Sequence, residues 1–426
     1  MIANVRLLSG VVSGETTRGK GTHVTVGRGT RRFFGAVAAA AAASLVFAAC
    51  SSDDGGAPAT QTQTGAAGQN QQVGPAAAPV VAKVTTKPAN NAKNVAPNGP
   101  FTVTVADGTL ASVTLTNPDG KKVKGSLAAD KKSWKVTEDL GYGKKYTWSG
   151  SATSPDGKSV PVKGSFTTVT AQSKVSAHIN TADNATYGVG QPIVVTFDQD
   201  VSDKKSVEKA LKVETSKDVT GSWAWFDDRT VHYRPKAYWP ANTKVDVHLD
   251  IYGVSFGGGA YGLDDVTSKF TIGRNQVVKA NTKTHRFMVY RNGKKVHDYP
   301  ASYGLDSDPG RVTHSGTHLV MSKSQTYFMT NEKYDYENIE VHWAVRISNN
   351  GEFVHGAPWS AAQQGNSNVS HGCANLSEAN AEAYYNSVLP GDPVEVTGST
   401  VKLSPADGDY HDWIYSWSKW QSMSAL

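Results

Sequence analysis

The chain has 426 residues, of which 38% are hydrophobic, and a formal net charge of +6. Its apolar content is ample for folded cores, and its length allows roughly two to four domains. The 43 lysines and arginines are spread along the chain and form no dense block interleaved with aromatic residues. The sequence therefore indicates no nucleic-acid partner.

Residues 1–50 have the organisation of an export signal. Arg31 and Arg32 precede an apolar run that ends at Cys50, and small residues before a cysteine are typical of lipoprotein processing. We expect Cys50 to be lipidated and to anchor the protein to the outer face of the cell membrane, facing the periplasm and cell wall. Twin-arginine export and general secretion are equally open. A retained transmembrane span is less favoured, because the run is shorter than the roughly 20 residues that cross a bilayer.

Residues 51–81 are rich in Gly, Ala, Gln, Thr and Pro and predict a flexible linker. Residues 82–172 then contain short β-type runs separated by Asn-Pro-Asp-Gly and Ser-Pro-Asp-Gly turns, and residues 173–274 repeat the pattern. Segment 192–197, for example, corresponds to segment 100–105. This recurrence predicts two immunoglobulin-like (Ig-like) β-sandwiches, which we interpret as a spacer.

The second sandwich segment also contains a predicted short helix over 206–211 and several aromatic residues. Trp223 and Trp225 alternate along one strand and so share a face, which favours packing in a core over a carbohydrate-binding platform. A non-enzymatic wall-binding or adhesion protein built on these repeats remains the alternative.

Residues 275–398 are predicted to form a β-rich domain with one main helix. Arg291-Asn-Gly-Lys294 indicates a hairpin turn, and a helix capped by Ser377 runs over 377–389 until Pro390-Gly391 stops it. Residues 399–426 form an aromatic tail whose tryptophans at 413, 417 and 420 have helical spacing. The expected fold class is therefore mainly β, with two Ig-like sandwiches, a β-rich domain and a tail.

Cys373 is the only cysteine besides Cys50, and lipidation of Cys50 would leave it as a free thiol in an exported protein. A disulfide between the two is therefore disfavoured. Thiol acyl transfer requires a thiolate and a base that holds its proton, a role that we assign to His355. The backbone N–H groups of Gly372 and Cys373 are predicted to bind the oxyanion. Zinc is disfavoured because His355, His371 and Cys373 include no second thiol, so we expect no metal.

The segment Phe-Val-His-Gly-Ala-Pro-Trp-Ser at 353–360, followed by Ser-His-Gly-Cys-Ala-Asn at 370–375, closely resembles the catalytic motif of the L,D-transpeptidases. The lipidation signal, the two Ig-like domains and the tail further resemble actinobacterial members of that family. The resemblance implies a cofactor-free acyltransferase that joins peptidoglycan stem peptides by 3→3 cross-links through Cys373 and is acylated by carbapenems. A carboxypeptidase or cysteine peptidase remains open, because the sequence does not show whether an amine or water reaches the acyl-enzyme.

By resemblance, the carbonyl of Gly356 orients the His355 ring. Trp359 either walls the substrate groove or packs beneath His355, and the resemblance favours the groove. Ser370 and Asn375 are interpreted as residues that fix the loop. His371 either tunes the thiolate or holds the loop, and we favour the loop role.

The resemblance places a substrate lid between Met321 and Trp343, with Met321 and Tyr327 near the acyl-donor stem. Counting back from Trp343 puts Glu337 where relatives have a tyrosine that borders the site. A shift of one residue would restore Tyr336 at this position, whereas an acidic group would change the substrate preference. The resemblance also favours docking of the tail across the spacer and catalytic domains over binding to a membrane surface.

Overall fold

The computed structural model describes residues 79–407 and 410–426. The predicted signal, the lipidation site Cys50 and nearly all of the linker lie outside these residues. The described part is mainly β, as the sequence predicts, with three α-helices in these ranges. None of the helices within them is long and apolar enough to cross a membrane.

The first sandwich consists of two four-stranded sheets. Its strands are β1 Lys83–Lys87, β2 Ala92–Val95, β3 Thr102–Ala106, β4 Thr109–Thr116, β5 Gly125–Leu127, β6 Ser133–Val136, β7 Lys145–Thr153 and β8 Ser159–Thr168. The strand orders are β1-β3-β6-β5 and β2-β8-β7-β4. Alternate apolar residues such as Trp148 and Phe166 are buried between the two sheets.

The second sandwich repeats this topology and adds a small sheet. Its elements are β9 Ser173–Val175, β10 Ala177–Ile179, β11 Thr186–Tyr187, β12 Ile193–Phe197, α1 Lys204–Ala210, β13 Leu211–Thr215, β14 Gly221–Trp225, β15 Thr230–Pro235, β16 Lys244–Leu249, β17 Ser255–Gly257, β18 Ala260–Gly262 and β19 Val266–Ile272. The main sheets have the orders β10-β12-β15-β14 and β11-β19-β16-β13, and the third sheet is β17-β18-β9. Each main-sheet strand has a counterpart in the first sandwich, including the parallel pairs β2–β8 and β11–β19.

The aromatic residues of the second sandwich serve its core. Trp223 and Trp225 are each 7% exposed and belong to one hydrophobic cluster, which confirms the packing interpretation. The predicted short helix is α1, which begins two residues earlier than expected because Asp203 caps it by accepting a hydrogen bond from the Ser206 N–H.

The C-terminal domain contains a five-stranded sheet, a four-stranded sheet and one main helix. Its elements are β20 Gln276–Asn281, β21 Arg286–Arg291, β22 Lys294–Pro300, β23 Gly316–Leu319, β24 Ser322–Asn331, β25 Tyr336–Arg346, β26 Phe353–Gly356, β27 Ala374–Leu376, α2 Glu378–Ser387 and β28 Pro393–Thr397. The strand orders are β22-β21-β20-β28-β23 and β24-β25-β26-β27. Tyr384 of α2 and Phe287 of β21 pack together in the core, with ring centroids 5.0 Å apart.

Hydrogen bonds between tyrosine hydroxyls and backbone groups join the two sandwiches. Tyr142 donates to the Gly262 carbonyl (2.6 Å), and Tyr252 donates to the Leu140 carbonyl (2.7 Å). A backbone contact joins the second sandwich to the C-terminal domain, where the Gly188 N–H donates to the Pro390 carbonyl at 2.7 Å. The three domains are therefore connected by specific contacts as well as by the chain.

The aromatic tail docks mainly on the second sandwich. Trp413 lies in a 3-10 turn, Asp412–Ile414, which also contacts β23, and only Trp417 and Trp420 belong to a helix, α3 Trp417–Gln421. The prediction that one helix would carry all three tryptophans on one face is therefore wrong. The three indole rings instead surround the guanidinium of buried Arg234, at 4.7, 5.4 and 4.6 Å from their centroids.

Candidate active site

Two adjacent parallel strands, β26 and β27, position the candidate catalytic residues: His355 lies in β26, and Cys373 directly precedes β27. His355 lies opposite Asn375 in their register. Cys373 precedes Asn375 by two positions, so its side chain lies on the same face as that of His355. Val354 and Ala374 point to the other face, where they are buried in the core. Strand alternation thus brings the thiol and the imidazole to one side of the sheet.

The turn before Cys373 is fixed by hydroxyl groups. Ser370 Oγ donates to the Cys373 carbonyl (2.7 Å) and accepts from the Gly372 N–H (3.2 Å), while Thr313 Oγ1 donates to the Gly372 carbonyl (2.7 Å). Gly372 has φ +121°, a conformation that favours glycine. We expected the Gly372 N–H to bind the oxyanion. In the structure this N–H instead donates its hydrogen bond to the Ser370 hydroxyl.

His355 is 3% exposed, and its Nδ1 lies 2.8 Å from the Gly356 carbonyl oxygen. Because a carbonyl oxygen only accepts, Nδ1 carries the proton and Nε2 is the basic nitrogen. This is the orientation that the resemblance implies. Burial lowers the pKa of His355 to about 4, so the ring is neutral at ordinary pH.

The thiol of Cys373 is directed at the Gly351 carbonyl oxygen, 3.8 Å from Sγ. Burial raises the pKa of Cys373 to about 12, and the charge of Glu352 adds to this rise, whereas a backbone hydrogen bond from Phe353 and the charge of Arg346 oppose it. The resting pair is therefore a neutral thiol beside a neutral imidazole. The thiolate that acyl transfer requires is therefore not the resting form of Cys373.

Cys373 and His355 open into a cavity of about 520 Å³. Five other predicted site residues line it, and four apolar residues that the sequence analysis missed complete its wall. The predicted residues are Tyr336, Trp359, Ser370, His371 and Asn375, and the missed ones are Met329, Ile339, Val341 and Val369. The thiol thus faces a largely apolar chamber.

Comparisons with known proteins identify the family. The L,D-transpeptidase catalytic domain family matches residues 275–396, and the bacterial Ig domain family matches residues 92–255. L,D-transpeptidase 5 of Mycobacterium tuberculosis is 48% identical over 352 residues, which make up 82% of this chain and 78% of that protein. The chain belongs to the L,D-transpeptidase family. It is therefore an enzyme of the cysteine type, with Ig-like domains preceding its catalytic domain.

A second relative agrees with this assignment. L,D-transpeptidase 2 of M. tuberculosis is 35% identical over 353 residues, covering 81% of this chain and 86% of that protein. Among solved structures, LdtMt1 in complex with imipenem is 35% identical and covers 53% of this chain and 99% of that chain, with a TM-score of 0.45. An L,D-transpeptidase from Mycobacterium smegmatis is 31% identical, and the match covers 53% of this chain and 100% of that chain, with a TM-score of 0.43.

Two of the predicted lid residues of this L,D-transpeptidase do not line the cavity. Met321 lines a small cleft with Leu403 and Tyr410 of the C-terminal segment. Tyr327 packs its ring 4.8 Å from that of Phe353, against the small hydrophobic cluster that also contains Cys373. Neither residue lines the cavity, because β24 runs on for ten residues, so that its distal half, with Met329, reaches the site.

Tyr336 does face Cys373 in this L,D-transpeptidase. It lines the cavity, and its pKa is raised by burial and by the charge that Cys373 would carry. Asn338 adopts a positive φ of +54° within β25, and this irregularity shifts the strand by the residue needed to point Tyr336 inward. Glu337 is exposed and accepts a hydrogen bond from the Asn338 side chain at 3.5 Å. The aromatic alternative is therefore the one that the structure favours.

The remaining predicted site residues lie around the cavity that Cys373 and His355 share. The exposed His371 ring lies 5.1 Å from the ring of Tyr334 and 5.2 Å from that of Tyr336, so it contacts the predicted lid segment. Trp359 is 59% exposed and its ring lies 6.0 Å from that of His355, so it both walls the cavity and contacts the base.

Asn375 is 3% exposed, and its Nδ2 donates to Ser360 Oγ at 3.2 Å. Among the residues that the structure describes, its Oδ1 has no hydrogen-bond partner. The side chain thus ties the β27 strand to the 358–360 turn, as a loop-fixing role requires, and leaves an acceptor at the cavity wall.

Gly356→Ser is expected to change the free energy of unfolding by less than about 1 kcal/mol. A Cβ at this position would lie 2.5 Å from Glu378 Oε1. That carboxylate ends a flexible side chain that is 40% exposed, so it can rotate away. Urea unfolding would measure the change. Gly304→Ser is the matched control, because its Cβ would overlap the rigid Arg311 carbonyl oxygen. Equal, large losses in both variants would contradict the expectation.

Proposed function

We propose that the protein is a peptidoglycan L,D-transpeptidase that forms 3→3 cross-links through an acyl-enzyme on Cys373. Its substrates are a tetrapeptide donor stem and the side-chain amine of a diaminopimelate residue in an acceptor stem. The observation that carries the proposal is the shared cavity of Cys373 and His355, in which Gly356 holds the imidazole with Nε2 as its base. Homology to L,D-transpeptidases 5 and 2 supports it.

The first half-reaction forms a thioester. Cys373 Sγ attacks the carbonyl of the third stem residue, and His355 Nε2 takes the thiol proton as the S–C bond forms. Because the resting groups are both neutral, this proton moves during the attack. The tetrahedral oxyanion collapses, the bond to the fourth residue breaks, and the imidazolium gives its proton to the departing amine.

The second half-reaction transfers the acyl group. The acceptor amine attacks the thioester carbonyl while His355 accepts the amine proton. Collapse of the tetrahedral adduct breaks the C–S bond, and the proton returns to Cys373 Sγ, which restores the resting pair. Water in place of the amine would release a free tripeptide, which is the carboxypeptidase alternative.

A carbapenem would acylate the same thiol, because attack of Cys373 Sγ on the strained β-lactam carbonyl opens the ring and leaves a thioester. The apolar cavity wall formed by Met329, Ile339 and Val341 offers packing for the body of such a ligand. The proposed inhibitor class is therefore tied to the nucleophile that also performs transpeptidation.

The proposed location is the outer face of the cell membrane. The export signal and Cys50 in the sequence support lipid anchoring. A linker of 31 residues has an average reach on the order of 30 Å. The two sandwiches, joined through Tyr142 and Tyr252, would add height as a spacer and hold the catalytic domain farther from the membrane.

The rate of acylation is expected to be independent of pH from about pH 5 to pH 9 and to fall only as His355 becomes protonated, with a pKa of about 4. The sign follows from the base role, since only neutral His355 accepts the thiol proton. Reactions quenched at successive times and analysed by mass spectrometry would give the rate of acylation at each pH. His297→Gln, on the edge strand β22, should leave the profile unchanged. An acid limb near pH 6 to 7 would contradict a buried neutral base.

The products formed by the wild-type enzyme from purified disaccharide-tetrapeptide test the proposed function. We expect a dimer whose linkage joins the third residues of two stems, with release of one terminal residue per dimer, as read by tandem mass spectrometry. Release of the terminal residue without any dimer would establish a carboxypeptidase instead. Absence of both products would show that these stems are not its substrates.

A further inference from the structure

A buried carboxylate lies directly behind the nucleophile turn. Glu352 is 3% exposed, and a Cβ built on Gly372 would lie 3.6 Å from Glu352 Cγ. Glu352 Oε1 accepts a hydrogen bond from the His314 N–H at 2.7 Å. Its negative charge acts against formation of a thiolate on Cys373, because like charges repel strongly where water is excluded. Catalysis by Cys373 would therefore benefit from neutralisation of this carboxylate.

His318 supplies the neutralising group. It is 1% exposed, and its Nε2 lies 2.8 Å from the His314 carbonyl oxygen, so Nε2 must carry a proton. Its Nδ1 faces Glu352 Oε2 at 3.5 Å, and neither atom has a hydrogen-bond partner among the described residues. A bare Nδ1 opposite an ionised carboxylate would place two lone pairs together without water, which is costly. A proton between the two atoms removes this conflict.

We propose that Glu352 and His318 share one proton and form a net-neutral pair that positions the nucleophile turn while shielding Cys373 from an uncompensated negative charge. The pair is a positioning element, since neither residue lines the cavity. This inference goes beyond the proposed cross-linking reaction and rests on the proposed role of Cys373 as the nucleophile. The 313–318 segment thereby supports the turn in two ways. The His314 N–H donates to Glu352, which lies behind the turn, and Thr313 Oγ1 donates to the Gly372 carbonyl.

The neighbouring charged groups have partners of their own. His314 Nδ1 lies 3.0 Å from Asp407 Oδ1, and Asn350 Nδ2 also donates to that carboxylate oxygen at 3.1 Å. Arg346 of β25 acts on Cys373 through its charge, and its guanidinium contacts the Phe353 ring and the Tyr327 hydroxyl. The imidazole that faces Glu352 is therefore that of His318.

Thiol alkylation tests this proposal without any stem peptide, so its outcome is independent of the transpeptidase products. The full chain carrying Cys50→Ser has Cys373 as its only thiol, and its rate of modification by iodoacetamide would be measured from pH 6 to pH 10. Three variants are compared in that background: Glu352→Gln, His318→Gln and the double variant.

A glutamine at 352 can accept from the His314 N–H and donate to His318 Nδ1, so it reproduces a neutral pair. We expect Glu352→Gln to alkylate within about threefold of the parent at each pH. His318→Gln leaves Glu352 without its partner and should slow alkylation by about tenfold near neutral pH, and the double variant should recover to within about threefold.

Two results would overturn the proposal. Acceleration of alkylation by more than about tenfold in Glu352→Gln would show that the pair carries a net negative charge. A double variant as slow as His318→Gln would show that His318 serves only packing. Because glutamine is isosteric with glutamate, Glu352→Gln decides the charge question even if His318→Gln fails to fold.

Discussion

Cys373→Ala is expected to abolish dimer formation from disaccharide-tetrapeptide, a loss of more than about 10⁴-fold. The thiol is the group that would carry the acyl chain between donor and acceptor, and nothing else in the described cavity replaces it. Ser370 is nearby, but its hydroxyl already donates to the Cys373 carbonyl and accepts from the Gly372 N–H. Mass spectrometry of the products under single-turnover conditions would measure the residual rate.

Cys50→Ser is the matched control for this experiment, because it removes the other cysteine thiol of the chain and leaves the residues that line the cavity unchanged. It should make dimers at the parental rate when both proteins are assayed in solution. Dimer formation by Cys373→Ala above about one per cent of the parental rate would show that the acyl group does not pass through this thiol.

Local signals in the sequence account for much of the fold. The helix α2 begins after Ser377, whose side chain accepts a hydrogen bond from the Asn380 N–H, as its capping position predicts. The β21–β22 hairpin turns at Asn292 and Gly293, both with positive φ, as an Asn-Gly pair predicts. These features depend on residues that are neighbours in the chain, so they can be inferred without the tertiary structure.

The candidate site contains some features that the sequence predicts and others that it does not. His355 and Cys373 belong to short motifs. Once β26 and β27 pair, strand alternation places their side chains on the same face of the sheet. The lid does not follow from the motif. Whether Met321 or Met329 reaches the cavity depends on the length of β24, and the position of Tyr336 depends on the backbone irregularity at Asn338. Neither feature leaves a periodic signal in the sequence.

The charge state of the site also required the tertiary structure. A histidine and a cysteine in one motif fit equally well with a neutral pair and with an ion pair. Burial by the surrounding strands decides between them, because it disfavours both charged forms and moves the two pKa values apart. The sequence lacks this information because the residues that exclude water come from distant segments, such as Val341 on β25.

The tail shows how a distant charge can override a local pattern. Helical spacing of the three tryptophans predicted one amphipathic helix, yet Trp413 lies in a 3-10 turn and α3 covers only five residues. The rings come from different elements because they converge on Arg234 of β15. Indole N–H groups add to this docking, since Trp413 donates to the Gly190 carbonyl and Trp420 to the Ser222 carbonyl.

Arg234→Met is therefore expected to destabilise the protein by about 3–5 kcal/mol. The guanidinium is 2% exposed and donates to the Pro235 carbonyl (3.1 Å) and the Tyr415 carbonyl (2.9 Å) in addition to its three ring contacts. Methionine fills part of the volume but provides neither the charge nor the donors. Urea unfolding followed by tryptophan fluorescence would report the loss of stability.

Arg234→Lys should fall between the parent and Arg234→Met, because it keeps a cation near the rings but loses the planar fork that reaches both carbonyls. Arg229→Met is the matched control, since Arg229 is exposed and pairs with exposed Asp200, and it should leave the unfolding midpoint unchanged. If Arg234→Met unfolds at the same urea concentration as Arg229→Met, the guanidinium does not hold the tail. The docking would then rest on the buried indole of Trp420 and its hydrogen bond to Ser222.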